Sequence, residues 1–308
     1  GKYATQDINK GIHYYTLAAD QNHSAAQFNL GFNYYKGKYL KQDIDKAIYY
    51  YTLAADKNQI EAMLQLGFIY YDDENKYIKR DISKAIHYFQ LAANQNNAYG
   101  QYIVGYIYFN GQYVVKDINK GLHYILLSAN QNYSQAQSFL GYIYYSGTNV
   151  KKNLSQAIQY FSLAANQNNA EAQFYLGLIY YKKNKFNEAI NFFSISAKQN
   201  YQMAQLYLGF IYSCNKLVQT DIKKAVHYFT LAANQNNSIA QFILGLYYYH
   251  NSDSLTDIKK GIDYFMLASK NGNKKANFAH GFLLHEGKNV KKDIEMAIHY
   301  YKEASSFN

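Results

Sequence analysis

The chain has 308 residues with a formal net charge of +10, and 49% of its residues are hydrophobic, which is ample for an extensive core. It contains 37 tyrosines but no tryptophan and no proline, so no helix is kinked by proline and no linker is built from it. The only cysteine, Cys214, excludes an intramolecular disulfide, and no apolar run approaches the roughly 18–20 residues that span a bilayer.

One pattern recurs along the whole chain. The sequence Asp-Ile-x-Lys-Ala/Gly-Ile, or a variant of it, begins at nine anchor residues: Asp7, Asp43, Asp81, Asp117, Asn153, Lys185, Asp221, Asp257 and Asp293. A glycine stands 24 residues after each of the first eight anchors: Gly31, Gly67, Gly105, Gly141, Gly177, Gly209, Gly245 and Gly281. Such a fixed period predicts a helical repeat array, in which each unit packs mainly on its neighbours.

Each unit predicts two helices. The first, here named the anchor helix, runs for example over 81–94, with Asp81 as N-cap, apolar residues at helical spacing and a Gln-Asn pair as the stop. The second, here named the glycine helix, runs for example over 172–181 and carries Gly177 in mid-helix. A mid-helix glycine costs about 1 kcal/mol, so its recurrence predicts a close helix crossing. The expected small partners are Ala47, Ala85, Ala157, Ala189 and Ala225.

These units predict one continuous domain over residues 1–308. The units start near residues 7, 43, 81, 117, 153, 185, 221 and 257, and a half-repeat follows at 293–308. Because the chain begins at Gly1, without methionine and partway through a unit, we expect a fragment or processed form. The single cysteine and the lack of a signal or transmembrane segment favour an intracellular location. Four glycosylation sequons matter only if the chain is secreted, and they begin at Asn22, Asn132, Asn153 and Asn236.

The pattern Ala-x-x-x-Leu-Gly-x-x-Tyr, followed by a loop and Asp-x-x-Lys-Ala, resembles the Sel1-like repeat family, which is related to the tetratricopeptide repeats. Residues 29–34 (Asn-Leu-Gly-Phe-Asn-Tyr) and 43–47 (Asp-Ile-Asp-Lys-Ala) show the resemblance first, and it extends from Asp7 to Ala304. The resemblance implies an all-α fold, a right-handed superhelical solenoid of antiparallel helix pairs. With this period it would comprise about eight repeats and roughly 17 helices. It also implies a non-enzymatic adaptor or scaffold.

Histidines are the first candidates for catalysis or metal binding. Five of them stand six residues after an anchor, each in a different unit: His13, His87, His123, His227 and His299. Neighbouring helices are about 10 Å apart, whereas metal ligands lie near 2 Å from the ion, so this series predicts no shared metal. His280, His285 and Glu286 share one helix, but two histidines five residues apart do not lie on one face. The sequence therefore predicts no catalytic, cofactor or metal site.

The resemblance implies that the glycine helices line the inside of the curve. Three positions on each glycine helix should then face inward: three residues before the glycine, one after it and four after it. Aromatic residues at these positions form the predicted partner-binding concave face: Phe28, Phe32, Tyr35, Phe68, Tyr71, Tyr102, Tyr106, Phe109, Tyr142, Tyr145, Phe174, Tyr181, Phe210, Phe242, Tyr249, Phe278 and Phe282. The tyrosines three residues after the glycine are predicted as core between paired helices: Tyr34, Tyr70, Tyr108, Tyr144, Tyr180, Tyr212 and Tyr248.

These features predict a protein–protein interaction scaffold that binds an extended peptide or an amphipathic helix in an aromatic groove. Two alternatives stay open: a permanent architectural subunit of a large assembly, and an RNA-binding helical repeat. The net charge of +10 suits RNA, but the predicted inner face carries few cations, and most lysines lie at anchor-helix starts or in loops. Proteins that track a nucleic-acid backbone need cations beside the stacking rings, so the placement of the lysines argues against RNA.

Overall fold

The computed structural model describes residues 8–73, 78–214, 219–251, 254–287 and 289–306. Within these ranges 17 helices follow one another and strands are absent, which confirms the predicted all-α repeat fold. In chain order the helices are α1 (Ile8–Asp20), α2 (Ser24–Lys36), α3 (Ile44–Ala55), α4 (Ile60–Tyr71), α5 (Ile82–Asn94), α6 (Ala98–Asn110), α7 (Ile118–Asn130), α8 (Ser134–Ser146), α9 (Leu154–Asn166), α10 (Ala170–Lys182), α11 (Phe186–Lys198), α12 (Gln202–Ser213), α13 (Ile222–Asn234), α14 (Ser238–His250), α15 (Leu255–Lys270), α16 (Lys274–Glu286) and α17 (Ile294–Ser305).

The chain forms two compact parts, each of several repeats: the first unit (residues 1–157) and the second unit (residues 158–308), with the boundary inside α9. In the first unit, α2 packs extensively on α3, α4 on α5 and α6 on α7. In the second unit the same holds for α10 and α11, α12 and α13, α14 and α15, and α16 and α17. Each of these pairs is a glycine helix with the anchor helix that follows it. The even-numbered helices are thus the glycine helices, and one continuous domain over 1–308 remains a prediction.

Most anchor residues cap their helices as predicted. The Asp81 carboxylate accepts a hydrogen bond from the Lys84 backbone N–H at 3.0 Å, and equivalent bonds occur at Asp43, Asp117, Asp221 and Asp293. Two anchors depart from the pattern. Lys185 makes no side-chain capping bond, and Asp257 lies inside the first turn of α15, whose N-cap is Ser254. There an acidic residue still stabilises the positive end of the helix dipole. Asp7 lies outside the described residues.

Asparagines end the anchor helices by adopting the left-handed conformation. Their φ angles lie between 59° and 67° at Asn22, Asn58, Asn96, Asn132, Asn168, Asn200 and Asn236. Asparagine tolerates this region better than other residues with a Cβ, because its short polar side chain can hydrogen-bond locally. The predicted Gln-Asn stop is therefore confirmed.

Most mid-helix glycines lie against an aromatic ring of the anchor helix that follows, and Gly105 lies against the aliphatic side chain of Ile125 instead. A Cβ built on Gly177 would lie 2.7 Å from Cδ1 of Phe193, and one on Gly245 would lie 2.5 Å from Cδ1 of Phe265. The ring belongs to the anchor helix that follows, eight residues after its anchor, and it is buried in the core. The same place holds Tyr51, Phe89, Ile125, Phe161 and Phe229. The predicted helix crossing is confirmed for the described contacts.

The small residues expected beside these glycines do lie there, since a Cβ built on Gly105 would lie 2.9 Å from the backbone oxygen of Gly121. They stand four residues after each anchor and also meet the glycine helix one turn further along. A Cβ on Gly121, which takes this place in α7, would lie 2.7 Å from the backbone nitrogen of Phe109. Alanine is tolerated at this place in other repeats, where Ala47, Ala85, Ala189 and Ala225 are buried. The glycine thus accommodates the ring, and the small anchor-helix residue lets the two backbones approach.

Buried glutamines join consecutive repeats. Gln205 stands four residues before Gly209, is 1% exposed, and donates to the backbone carbonyl of Ala197 at 3.3 Å. Its Oε1 accepts a hydrogen bond of 2.7 Å from Nε2 of Gln235, which follows the next anchor helix. In the first unit, Gln131 donates to Gln101 in the same way at 2.7 Å. A buried amide needs such partners, so these bonds fix how one repeat is placed on the next.

The contact between glycine and ring predicts a stability difference between two Gly→Ala changes. Gly177→Ala should lower the free energy of unfolding by about 1–3 kcal/mol, because the added methyl overpacks against the fully buried Phe193 ring. Gly11→Ala is the matched control, since a Cβ there has nothing within 4 Å. It should stabilise the protein by up to about 1 kcal/mol through helix propensity. Urea denaturation midpoints measure both changes. Equal shifts for the two variants would contradict the proposed role of the crossing.

Candidate functional site

The residues directly after most of the glycines form much of the exposed part of the predicted aromatic face. Phe32, Tyr106, Tyr142 and Phe210 are between 39% and 44% exposed, and Phe282 is 49% exposed. Phe210 also contacts Phe229, the ring under Gly209, at 5.4 Å. These side chains are large and apolar, and the solvent reaches them.

The two other predicted positions, three before and four after the glycine, are mostly half-buried. The half-buried residues at these two positions are Phe28, Tyr35, Tyr71, Tyr102, Tyr145, Tyr181, Phe242 and Tyr249. Phe68, which directly follows Gly67, is half-buried as well, whereas Phe278, three residues before Gly281, is 59% exposed. Phe109 and Phe174 are 3% and 5% exposed, so these two are core residues and were wrongly assigned to a contact surface. The ring of Phe139 packs on Phe109, and the ring of Tyr207 packs on Phe174.

In the first unit, four predicted residues meet in one groove between α4 and α6, here named the α4–α6 groove. Its volume is about 210 Å³. Phe68 and Tyr71 form the wall on α4, and Tyr102 and Tyr106 form the wall on α6. The ring of Phe89 from α5 lies at its floor. The remaining lining side chains are Ile103 and Ile107.

The second unit has a larger groove of the same design between α14 and α16, here named the α14–α16 groove. Its volume is about 930 Å³, within the range of small-ligand sites. Phe242 and Tyr249 line it from α14, Phe278 and Phe282 line it from α16, and Phe265 of α15 takes the place of Phe89. The groove extends past α16 to α17. The other lining residues are Leu246, His250, Lys274, Lys275, Ala279, Leu283, Tyr301, Ala304 and Ser305.

The other predicted residues do not join these two grooves. Phe28 contacts the buried Tyr51 at a ring distance of 5.6 Å, and Phe210 contacts Phe229 at 5.4 Å. Sequence reasoning also missed the floor rings Phe89 and Phe265. The signal for them was present, because an aromatic or large aliphatic residue recurs eight residues after the anchor.

The tyrosines three residues after the glycine lie between paired helices as predicted, but they are half-buried and not enclosed. Tyr212 stacks on Tyr228 of the following anchor helix, with centroids 5.9 Å apart and planes at 6°. Lys224 lies over the Tyr212 ring at 5.2 Å and forms an ion pair with Asp221 at 3.2 Å. Comparable lysine–tyrosine contacts occur at Tyr34, Tyr70, Tyr108 and Tyr248. These lysines contact tyrosines of the glycine helices, Lys46, Lys84 and Lys224 also pair with N-cap aspartates, and none of them lines either groove.

The histidines offer no metal centre in the described ranges, where no group of three or more His, Cys, Asp or Glu side chains could hold an ion. His13, His87, His123, His227 and His299 are exposed, and each contacts the following tyrosine ring at 5.3–5.6 Å. His280 is 5% exposed, whereas His285 on the same helix is exposed. Every helix in the described ranges is too short or too polar to cross a bilayer.

Comparisons with known proteins agree with this geometry. The family model described as Sel1 repeat matches residues 1–23, 24–59, 60–97, 98–133, 134–169, 170–201, 202–237, 238–273 and 274–306. Each complete match begins at a glycine helix and contains the following anchor helix, which is the pair seen in the structure. No curated protein matches this chain in sequence.

Three solved structures are similar to this chain. The first is c5321, a protective antigen present in uropathogenic Escherichia coli strains, with 26% identity and a TM-score of 0.71 over 99% of this chain and 73% of that chain. The second is a Sel1 repeat protein from Oxalobacter formigenes, with 23% identity and a TM-score of 0.73 over 99% of this chain and 91% of that chain. Yeast Tom70 shares the fold more distantly, with 17% identity and a TM-score of 0.50 over 92% of this chain and 60% of that chain.

The buried His280 predicts an acid-sensitive second unit. It stands directly before Gly281, where the other glycine helices mostly carry a buried leucine, and its Nδ1 is buried without a partner. Burial lowers the pKa of His280 below its usual value. As pH falls through about 6.5, the unfolded state therefore takes up the proton first, and stability present above that pH is lost. His280→Leu should raise the free energy of unfolding by about 1 kcal/mol at neutral pH and flatten this dependence.

Urea midpoints between pH 5 and pH 8 (roughly one unit or more either side of an ordinary histidine pKa) measure the effect. His285→Gln is the matched control, because His285 lies on the same helix but is exposed. The explanation fails if His280→Leu keeps the pH dependence of the parent chain.

Proposed function

Because the chain belongs to the Sel1 repeat family, we propose that it is a non-catalytic scaffold or adaptor that binds a peptide or an amphipathic helix along the aromatic face of its glycine helices. Proteins built from Sel1 and tetratricopeptide-like repeats generally mediate protein–protein interaction, and the Sel1 family is generally a non-catalytic scaffold. The single observation that carries the proposal is the pair of aromatic grooves, one in each unit, built from equivalent positions.

The chemistry of these grooves suits a protein partner. Phenylalanine and tyrosine provide large, rigid contact areas with few rotatable bonds, so ordering them on binding costs little entropy. A helix or an extended segment presents side chains at regular spacing, and it could place one apolar side chain over each buried floor ring. The α4–α6 groove, with a volume of about 210 Å³, has the size of a pocket for one side chain, whereas the α14–α16 groove has room for several side chains.

RNA binding finds less support in the positions of the charges. The lysines of the repeat lie over tyrosine rings at helix starts, and Lys46, Lys84 and Lys224 also pair with the N-cap aspartates. The α4–α6 groove has no cation among its lining residues in the described ranges, whereas Arg80 lies over the Tyr71 ring at 5.0 Å and Lys274 and Lys275 line the α14–α16 groove. A backbone-tracking RNA site needs cations beside the stacking rings along its whole length, and these separate cations do not form such a track.

The proposal predicts that exposed aromatic residues of the glycine helices carry partner binding. The triple variant Tyr106→Ser, Phe210→Ser and Phe282→Ser should lower the recovery of co-isolated proteins at least about tenfold, since interface aromatics are common hot spots. Each of the three side chains is 43–49% exposed, so the fold should be preserved. Affinity isolation from the native cells, followed by mass spectrometry, measures the recovery.

The control replaces exposed tyrosines on anchor helices. Tyr14 and Tyr49 are 65% and 58% exposed, so Tyr14→Ser and Tyr49→Ser remove comparable apolar surface from a different face. Equal recovery from the triple variant and the parent chain would rule out the glycine-helix face. Recovery of RNA in place of proteins, lost as salt is raised, would favour the nucleic-acid alternative. A permanent architectural subunit would instead elute from native extracts only in one large complex of fixed composition.

A further inference from the structure

In four glycine helices, the residue two positions before the glycine lies over or lines the groove formed with the preceding glycine helix: Ile103, Phe139, Tyr207 and Ala279. In α8 this residue is Phe139. Its ring contacts Tyr102 at 6.2 Å, Tyr106 at 5.4 Å and Phe109 at 5.5 Å, which are the three face positions of α6. Phe139 therefore occupies the place where a partner side chain would enter between α6 and α8.

The second unit repeats this arrangement in α12. Tyr207 stands two residues before Gly209, and its ring contacts Phe174 at 5.4 Å, Tyr181 at 6.3 Å and Phe193 at 5.4 Å. Phe174 and Tyr181 are face positions of α10, and Phe193 is the floor ring. The aromatic side chain again occupies the groove from within the protein.

The two open grooves carry smaller residues at this place. In the α14–α16 groove the residue is Ala279, and the volume is about 930 Å³. In the α4–α6 groove it is Ile103, and the volume is about 210 Å³. A ring at this position fills the groove, a branched aliphatic side chain narrows it, and a methyl group leaves it open. Part of the larger volume also comes from the extension of this groove towards Tyr301 of α17.

We infer that the residue two before the glycine is a gate that selects which grooves accept a partner, and that the α14–α16 groove, gated by Ala279, is the principal docking site. This inference rests on the proposed function and specifies its site and its ligand. The walls of this groove expose aromatic surface, since Phe278 is 59% and Phe282 is 49% exposed. Burial of such surface is the main source of affinity in a protein interface.

Charge identifies the occupant as an acidic segment of a partner protein. Lys274, Lys275 and His250 line the α14–α16 groove, and no acidic residue lines it among the described residues. Lys275 is exposed, whereas Lys274 also donates to the backbone carbonyl of Ser306. A segment with one large apolar side chain, flanked by Asp or Glu, would place that side chain among the phenylalanines and its carboxylates beside the lysines.

A random dodecapeptide library displayed on phage is the probe. Selection against the full chain should enrich peptides that combine an aromatic or large aliphatic residue with neighbouring Asp or Glu. Ala279→Phe should weaken a selected synthetic peptide at least about tenfold in fluorescence anisotropy, because a ring then fills the groove as in α8 and α12. Lys275→Glu should weaken the same peptide and reduce the salt dependence of binding.

Ile195→Phe is the matched control, since it adds the same ring at an exposed position of the anchor helix α11 that lines neither groove. It should leave the affinity of the selected peptide unchanged. Circular dichroism and urea midpoints verify that each variant is folded. Ala279→Leu, which narrows the groove with a smaller side chain, replaces Ala279→Phe if the latter does not fold.

The possible results distinguish the gate, the acidic ligand and the proposed function from one another. If the selected peptides bind the Ala279→Phe variant as tightly as the parent chain, but do not bind the Ile103→Phe variant of the α4–α6 groove or the triple serine variant, the gate at Ala279 is overturned and the proposed function stands. Basic or uncharged selected peptides overturn the acidic ligand. If no peptide is enriched, the proposed function itself fails. Binding of a dansyl-labelled fatty acid, blocked by Ala279→Phe in the absence of peptide selection, would reassign the groove to a lipid.

Discussion

The packing of a glycine against a buried ring is the contact on which the rest of the structure depends. A ring such as Phe193 or Phe265 fits only because the facing helix has no side chain at that point. The ring then becomes the floor of the space between consecutive glycine helices, as Phe265 does below the α14–α16 groove. The same absent side chain therefore fixes the helix pair and creates the apolar base of the proposed binding face. Under the proposed function, stability and recognition use one contact that recurs along the repeats.

The period of the sequence was sufficient to predict the helices, their caps and the crossing at the glycines. A single helix also gives its own inward positions, which is why Phe68, Tyr71, Tyr102 and Tyr106 were found and do line one groove. The sequence pattern of one helix could not reveal what the next repeat places on it. Phe109 is buried because Phe139, thirty residues further along, lies on it.

Other differences have the same origin. The tyrosines expected in the core, such as Tyr212, remain half-buried because a lysine over the ring takes the place of a covering helix. The identity of the gate residue was visible in the sequence as Phe139, Tyr207, Ile103 and Ala279. The role of this residue was not visible, because helical spacing assigns its position to neither the core stripe nor the outer face. Only the packed repeats show the groove below it.

The glutamine bonds between repeats have a consequence for how such a chain can change in length. Buried glutamines such as Gln205 and Gln101 bond to their own repeat and to the next one by the same two kinds of bond. Duplicating a whole repeat recreates both bonds, whereas inserting one residue inside a helix rotates all later side chains by about 100° and breaks them. Evolution of this architecture is therefore expected to proceed by copying complete units, with smaller length changes confined to the connections between helices.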